Sequence, residues 1–243
     1  MSKENSLTLG FSNEDAQRIE GSLKRLGSHL PPDKFVVVGS LAIRYHLLSR
    51  NLNYEGGALN DLDLIVEKEE DVEPSITKDF LVYHHHRSAP LFYFALVDPL
   101  SMTKIDIFTK TLPVRTIKTS VLAAEVNAIG VEDQLVQTAF DIQRISENAK
   151  VKPVQIRDAK SLLEIADLEL VDRLWRERGF QKYAPTVKAA VGKAEEIAKA
   201  HPDWLSENPF RKPKPYVCRE CVEDPNFPLA PMEEVYKILG HIE

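Results

Sequence analysis

Three aspartates and a Gly-Ser pair are the residues whose types and spacing point to chemistry. Asp61 and Asp63 stand two apart in Asp61-Leu62-Asp63-Leu64, and Asp106 lies within Ile105-Asp106-Ile107. On an extended chain, residues two apart project to the same face, so Asp61 and Asp63 can share a cation. A carboxylate between two isoleucines is costly to bury without a partner, and if its strand neighbours the first, Asp106 joins that face. Clustered carboxylates raise one another's pKa unless a divalent ion neutralises them. Magnesium is the natural occupant, being a hard ion that one or two carboxylates commonly share with substrate phosphates. Gly39-Ser40 supplies the complementary half: glycine lets backbone approach a ligand, and the N–H groups opening the next helix can receive the phosphates of a nucleoside triphosphate. Metal-binding acids facing a phosphate-holding turn are the minimum equipment for in-line displacement at phosphorus, with Asp106 drawing the proton from the attacking hydroxyl.

These residues must be positioned by ordered elements. Ser12 and Asn13 read as helix caps before Ile19, Leu23 and Leu26 at helical spacing, and Pro31-Pro32 closes that helix. Phe35-Val36-Val37-Val38 is a short buried strand ending at Gly39-Ser40, after which Ala42, Tyr45 and Leu48 mark one face of a second helix. A polar loop with Gly56-Gly57 leads to a strand in which Leu62, Leu64 and Val66 alternate with Asp61, Asp63 and Ile65. Three further strands are expected over 79–86, 91–98 and 103–109, separated by the turn-forming Ser88-Ala89-Pro90 and Asp98-Pro99, the last carrying Asp106. Beyond about residue 130 the pattern turns helical, with one stripe on Leu135, Val136, Ala139, Phe140 and Ile142 and another from Val187 to Ala198. The expected fold is therefore α+β: a mixed β-sheet domain with helices packed on it over 1–128, then a helical domain over 129–243 with an irregular Pro-rich tail and a short helix near 232–240.

The 243 residues allow two modest domains, and a net charge of −6 argues against a surface wholly given to nucleic acid. No stretch approaches the roughly 18 unbroken apolar residues of a membrane span. The opening MSKENSLTLG has neither the basic start nor the apolar run of a secretory signal, so a cytoplasmic protein without a membrane partner is expected.

Taken in order, Val38-Gly39-Ser40, Asp61-Leu62-Asp63-Leu64 and Ile105-Asp106-Ile107 resemble the Gly-Ser, Asp-x-Asp and third-Asp pattern of the polymerase-beta-like nucleotidyltransferase superfamily. The resemblance covers residues 34–110. With a helical second half, the layout is similar to the minimal nucleotidyltransferases and the abortive-infection toxin branch of toxin-antitoxin systems, which couple a nucleotide to an RNA, protein or small-molecule acceptor using magnesium. It implies Asp61, Asp63 and Asp106 as catalytic and metal-binding residues, and Gly39 and Ser40 as binders of the triphosphate. The chain also departs from the toxin branch. Gln137 and Thr138 stand where a Lys follows an acidic residue, and Ser161 stands where an Asp is usual after a pair resembling Arg157-Asp158. These losses motivate a second reading, a nucleotidyltransferase fold kept as a binding or regulatory module with a protein or RNA partner.

Other candidates have plainer alternatives beside them. Arg157, with Lys160 three residues on along a helix, is a further candidate for the triphosphate or simply a solvated charge. Arg44 and His46 are near the turn in sequence, and are either nucleotide contacts or exposed. His84-His85-His86 alternates faces along a strand, so the three rings cannot converge on one metal. Cys218-Arg-Glu-Cys221 has half the ligands of a structural zinc site, with His201 or His241 left to complete it; reduced thiols are the expected state. Trp175 and Trp204 are expected to pack.

Overall fold

The computed structural model describes residues 12–54, 59, 61–88, 91–109, 112–143, 153–202 and 224–240. They form two compact units: one of Met1–Tyr45, Gly57–Ile129 and Lys212–Glu243, the other of His46–Gly56 and Gly130–Arg211. Among the described residues, no helix is long and apolar enough to cross a membrane.

The first unit is built on a seven-stranded mixed sheet. Helix α1 (Asn13–Leu26) starts at Ser12, whose side chain accepts from the Asp15 N–H, and buries Ile19, Leu23 and Leu26. Strand β1 (Phe35–Val38) runs directly into α2 (Gly39–Leu48), followed by β2 (Asp61–Val66), β3 (Leu81–Ser88), β4 (Leu91–Asp98) and β5 (Thr103–Thr109). Two more strands, β6 (Thr116–Val121) and β7 (Ala124–Ile129), complete the order β3-β4-β5-β2-β1-β7-β6. β2 pairs with β5 and β1 with β7 in parallel; the other pairs are antiparallel. Alternation sorts the two faces of the sheet. Phe35, Val37, Leu62, Leu64, Val66, Ile105 and Ile107 are buried, while Asp61, Asp63 and Ile65 on the opposite face of β2 are half-exposed. One face therefore builds the core and the other is available for chemistry.

The β6–β7 hairpin is not anticipated by the sequence. Its two turn residues, Leu122 and Ala123, both take positive φ (50° and 61°), as a tight hairpin turn demands, yet neither is the Gly or Asn that announces one. β6 is mostly exposed, so it also lacks apolar alternation.

Asp98, which in sequence reads as part of a turn, is a fully buried carboxylate. It forms an ion pair with Arg25, accepts from Ser22 Oγ at 2.7 Å, and takes the backbone N–H of Leu100 at 3.0 Å, tying α1 to the end of β4. Burial pushes this carboxyl up, but the hydrogen bonds from Arg25, Ser22 and Ser101 and the charge of Arg25 together hold it below its ordinary 3.8. Because the folded pKa is the lower one, the stabilising contribution is complete above the unfolded value and is lost as pH falls through the folded value. Asp98→Asn should therefore lower stability near neutrality and flatten its decline in acid. Urea midpoints measured from about pH 6 down to about pH 2 check this; parallel curves for the two proteins would contradict it.

The chain returns to the sheet at its end. Ala230 N–H donates to Val82 O at 2.7 Å, and Leu229 bridges to Val82, protecting the outer edge of β3. Phe227 packs edge-on to Phe94, and Val235 of the last helix packs with Tyr83, Ala95 and Val97.

The second unit is helical: α3 (Val131–Gln143), α4 (Pro153–Leu163), α5 (Leu168–Glu177) and α6 (Val187–Ala200). α3 lies against the other three, burying Leu135, Val136, Ala139 and Ile142. Asp167 caps α5 by accepting from the Glu169 and Leu170 N–H groups, and Thr186 caps α6 through Ala189 N–H. Trp175 is buried with its Nε1–H donating to Ala184 O at 2.8 Å, and Phe180 stacks on Phe140. Asp133 and Arg178 form a buried ion pair. The helix of the first unit described above, α7, spans Met232–Ile238. Cys218 and Cys221, with the zinc they would hold, lie outside the described residues, as do His241, Trp204 and Gly56-Gly57.

Candidate active site

Register brings the three aspartates to one face. Asp63 lies directly beside Asp106 on the parallel neighbours β2 and β5, and Asp61 lies beside Lys104. The antiparallel pairing of β4 places Ala95 next to Asp106, Val97 next to Lys104 and Tyr93 next to Phe108. The order along the sheet is therefore Asp63, Asp106, Ala95 in one row and Asp61, Lys104, Val97 in the next. α7 packs on Ala95 and Val97, so it stands along one side of the acidic group.

Asp106 is the most enclosed of the three, at 6 % exposure. One of its carboxylate oxygens accepts from the Tyr93 hydroxyl at 2.9 Å, and the other forms an ion pair with the Lys104 ammonium. Burial alone would pull Lys104 down, but Asp106, with Asp61 and Asp63 adding to it, holds the ammonium above its ordinary pKa. Burial raises both Tyr83 and Tyr93, and the charge of Asp106 raises them further, so both hydroxyls stay protonated donors. Lys104 and the two tyrosines were not singled out by the sequence. The signal for Lys104 was its spacing of two from Asp106, which puts both on one face of β5.

Gly39 takes φ +65°, and a Cβ placed there would run into the Asp63 carboxylate, 3.0 Å from its Cγ. The glycine of Gly39-Ser40 is thus required twice, for the left-handed backbone and for the close approach of Asp63. Ser40 follows in the first turn of α2, half-exposed. Arg44 and His46, farther along α2, are buried rather than exposed.

Arg157 belongs to the helical unit, half-buried on α4 beside the buried Asp158. On α3, Thr138 is buried and donates to Gln134 O at 2.9 Å, and Gln137 donates to Asp141 at 3.0 Å; both serve the helix itself. His85 is buried and stacks on Phe94, whereas the His84 ring lies by Tyr93 on the other face of β3.

Among the described residues, no three His, Cys, Asp or Glu side chains are gathered closely enough to make a ready metal cage. The donor chemistry nevertheless suits a hard divalent ion, because the face offers carboxylate oxygens and already draws one cationic group, the Lys104 ammonium, onto Asp106. A cavity of about 480 Å³ lies at the β6–β7 hairpin, lined by Lys118, Ser120, Glu125 and Asn127 among others. β1 separates that hairpin from the strands of the aspartates.

No family model matches the chain, and no curated protein matches it. Among solved structures it is similar to an antigenic nucleotidyltransferase-like protein from Paracoccidioides brasiliensis, with 13% identity, a TM-score of 0.38, and coverage of 73% of this chain and 94% of that one. It is also similar to a candidate nucleotidyltransferase from H. pylori, with 12% identity, a TM-score of 0.28, and coverage of 79% and 98%. The chemistry of the site has to come from its own residues.

Proposed function

We propose that this chain is a magnesium-dependent nucleotidyltransferase of the polymerase-beta-like kind, moving a nucleoside monophosphate from a nucleoside triphosphate to the hydroxyl of an RNA, protein or small-molecule acceptor. One observation carries the reading: Asp63 and Asp106 stand side by side on adjacent parallel strands, with Asp61 on the same face and Gly39 against Asp63. Asp61, Asp63 and Asp106 would hold the ion, and Gly39 and Ser40 the phosphates, with Arg157 a further candidate for the triphosphate. When bound, magnesium neutralises phosphate charge and acidifies the groups it touches. The acceptor oxygen attacks the α-phosphorus, its proton passes to Asp106, the new P–O bond forms, and the bond to pyrophosphate breaks. Residues 1–128 would carry this chemistry, in the cytoplasm.

A specific observation favours a second reading. Both oxygens of Asp106 are engaged by protein groups, Tyr93 and Lys104, as they would be in a binding module that no longer needs a metal. Incubating the protein with each labelled triphosphate, magnesium and a cell extract separates the two. Label should enter one class of acceptor and depend on magnesium. A protein that neither binds triphosphate with magnesium nor transfers label leaves the binding module as the better account.

A further inference from the structure

We infer that Lys104 is a tethered counter-ion that holds the acidic face together in the unliganded protein and has to release Asp106 when a divalent cation binds. This rests on the reading of the three aspartates as cation ligands. Carboxylates on one face repel one another without positive charge among them, and Lys104, beside Asp61 in register and paired with Asp106, supplies it.

The type of residue matters. Two of the buried carboxylates elsewhere in this chain, Asp98 and Asp133, are paired with Arg25 and Arg178, and a guanidinium is a planar group with several donors. Asp106 is paired with an ammonium on a flexible four-carbon stem, a point charge suited to leaving. The Lys104 side chain is 30% exposed, so it has a route to solvent or to a phosphate.

A second observation shows that the face is incomplete as it stands. Tyr83 is 6% exposed, and its hydroxyl has no hydrogen-bond partner among the described residues, although the charges of Asp106 and Asp61 act on it. A buried hydroxyl without a partner is costly, and a ligand oxygen or water arriving with a cation would satisfy it.

The experiment is calorimetric titration of the full-length protein with Mn2+ alone, a probe that takes the same oxygen donors as magnesium. Lys104→Met and Lys104→Gln should bind Mn2+ about tenfold more tightly than the parent, because the competing charge is gone. Lys104→Arg, which keeps the charge, should bind no more tightly than the parent. Without metal, the Met and Gln variants should melt below the parent and gain more from added Mn2+ than it does. Equal or weaker Mn2+ binding by Lys104→Met and Lys104→Gln, with binding by the parent that Asp106→Asn abolishes, overturns the role of Lys104 and leaves the metal site standing. Absence of Mn2+ binding in parent and variants alike overturns both.

Discussion

Asp106→Asn should abolish nucleotide transfer while leaving the protein folded. Asparagine keeps the shape and can still accept the Tyr93 hydroxyl, so what disappears is the negative charge that draws Lys104 and takes the proton. Labelled nucleotide incorporation is expected to fall roughly a thousandfold, within the range for loss of a positioned general base. The melting temperature, followed by circular dichroism, should move by only a few degrees, roughly what a change of about 1 kcal/mol produces in a domain of this size. Asp98→Asn provides the contrast. Its carboxylate is buried between α1 and the end of β4, so its loss should lower the melting temperature and leave the rate per folded molecule intact. If Asp106→Asn transferred label as fast as the parent, Asp106 would be a structural acid like Asp98.

That contrast also shows what could be read from sequence. The strands carrying Asp61, Asp63 and Asp106 were legible because apolar residues alternate with acids, and a period of two fixes which side chains share a face. Their adjacency was not legible. β2 and β5 are separated by β3 and β4 in the chain and meet through parallel pairing, which no local pattern encodes. Asp98 looked like a turn residue because its partners, Ser22 and Arg25, lie more than seventy positions away. Lys104 is hidden for a different reason: a lysine on a half-exposed strand face is ordinary in sequence, and its pairing with Asp106 is what marks it out. The β6–β7 hairpin escaped because its turn conformation is imposed by pairing with β1 and within the hairpin, against the preferences of Leu122 and Ala123. The last helix was visible as a helix, but nothing in its spacing says that Val235 covers Tyr83, Ala95 and Val97.

Gly39→Ala should damage both stability and transfer, and the reasons can be separated. The first is backbone strain: holding a non-glycine residue at φ +65° costs about 1–2 kcal/mol. The second is local, because the new methyl group runs into the Asp63 carboxylate and forces it from its place beside Asp106. Displacing a positioned group by about an ångström can cost about a hundredfold in rate, so transfer should fall at least that far. Gly179→Ala isolates the first effect. That glycine, in the helical unit, has φ +70° and open space where its Cβ would go, so the substitution pays the backbone cost alone and should leave transfer unchanged. Adding Asp63→Ala to Gly39→Ala tests the second effect directly. With the carboxylate removed there is nothing for the methyl to strike, and the double variant should be more stable than the two single losses summed. It should nevertheless transfer no label, since the acid itself is gone. Additive losses of stability would mean that Gly39 is needed for its backbone alone, and that Asp63 does not need its close approach to the turn.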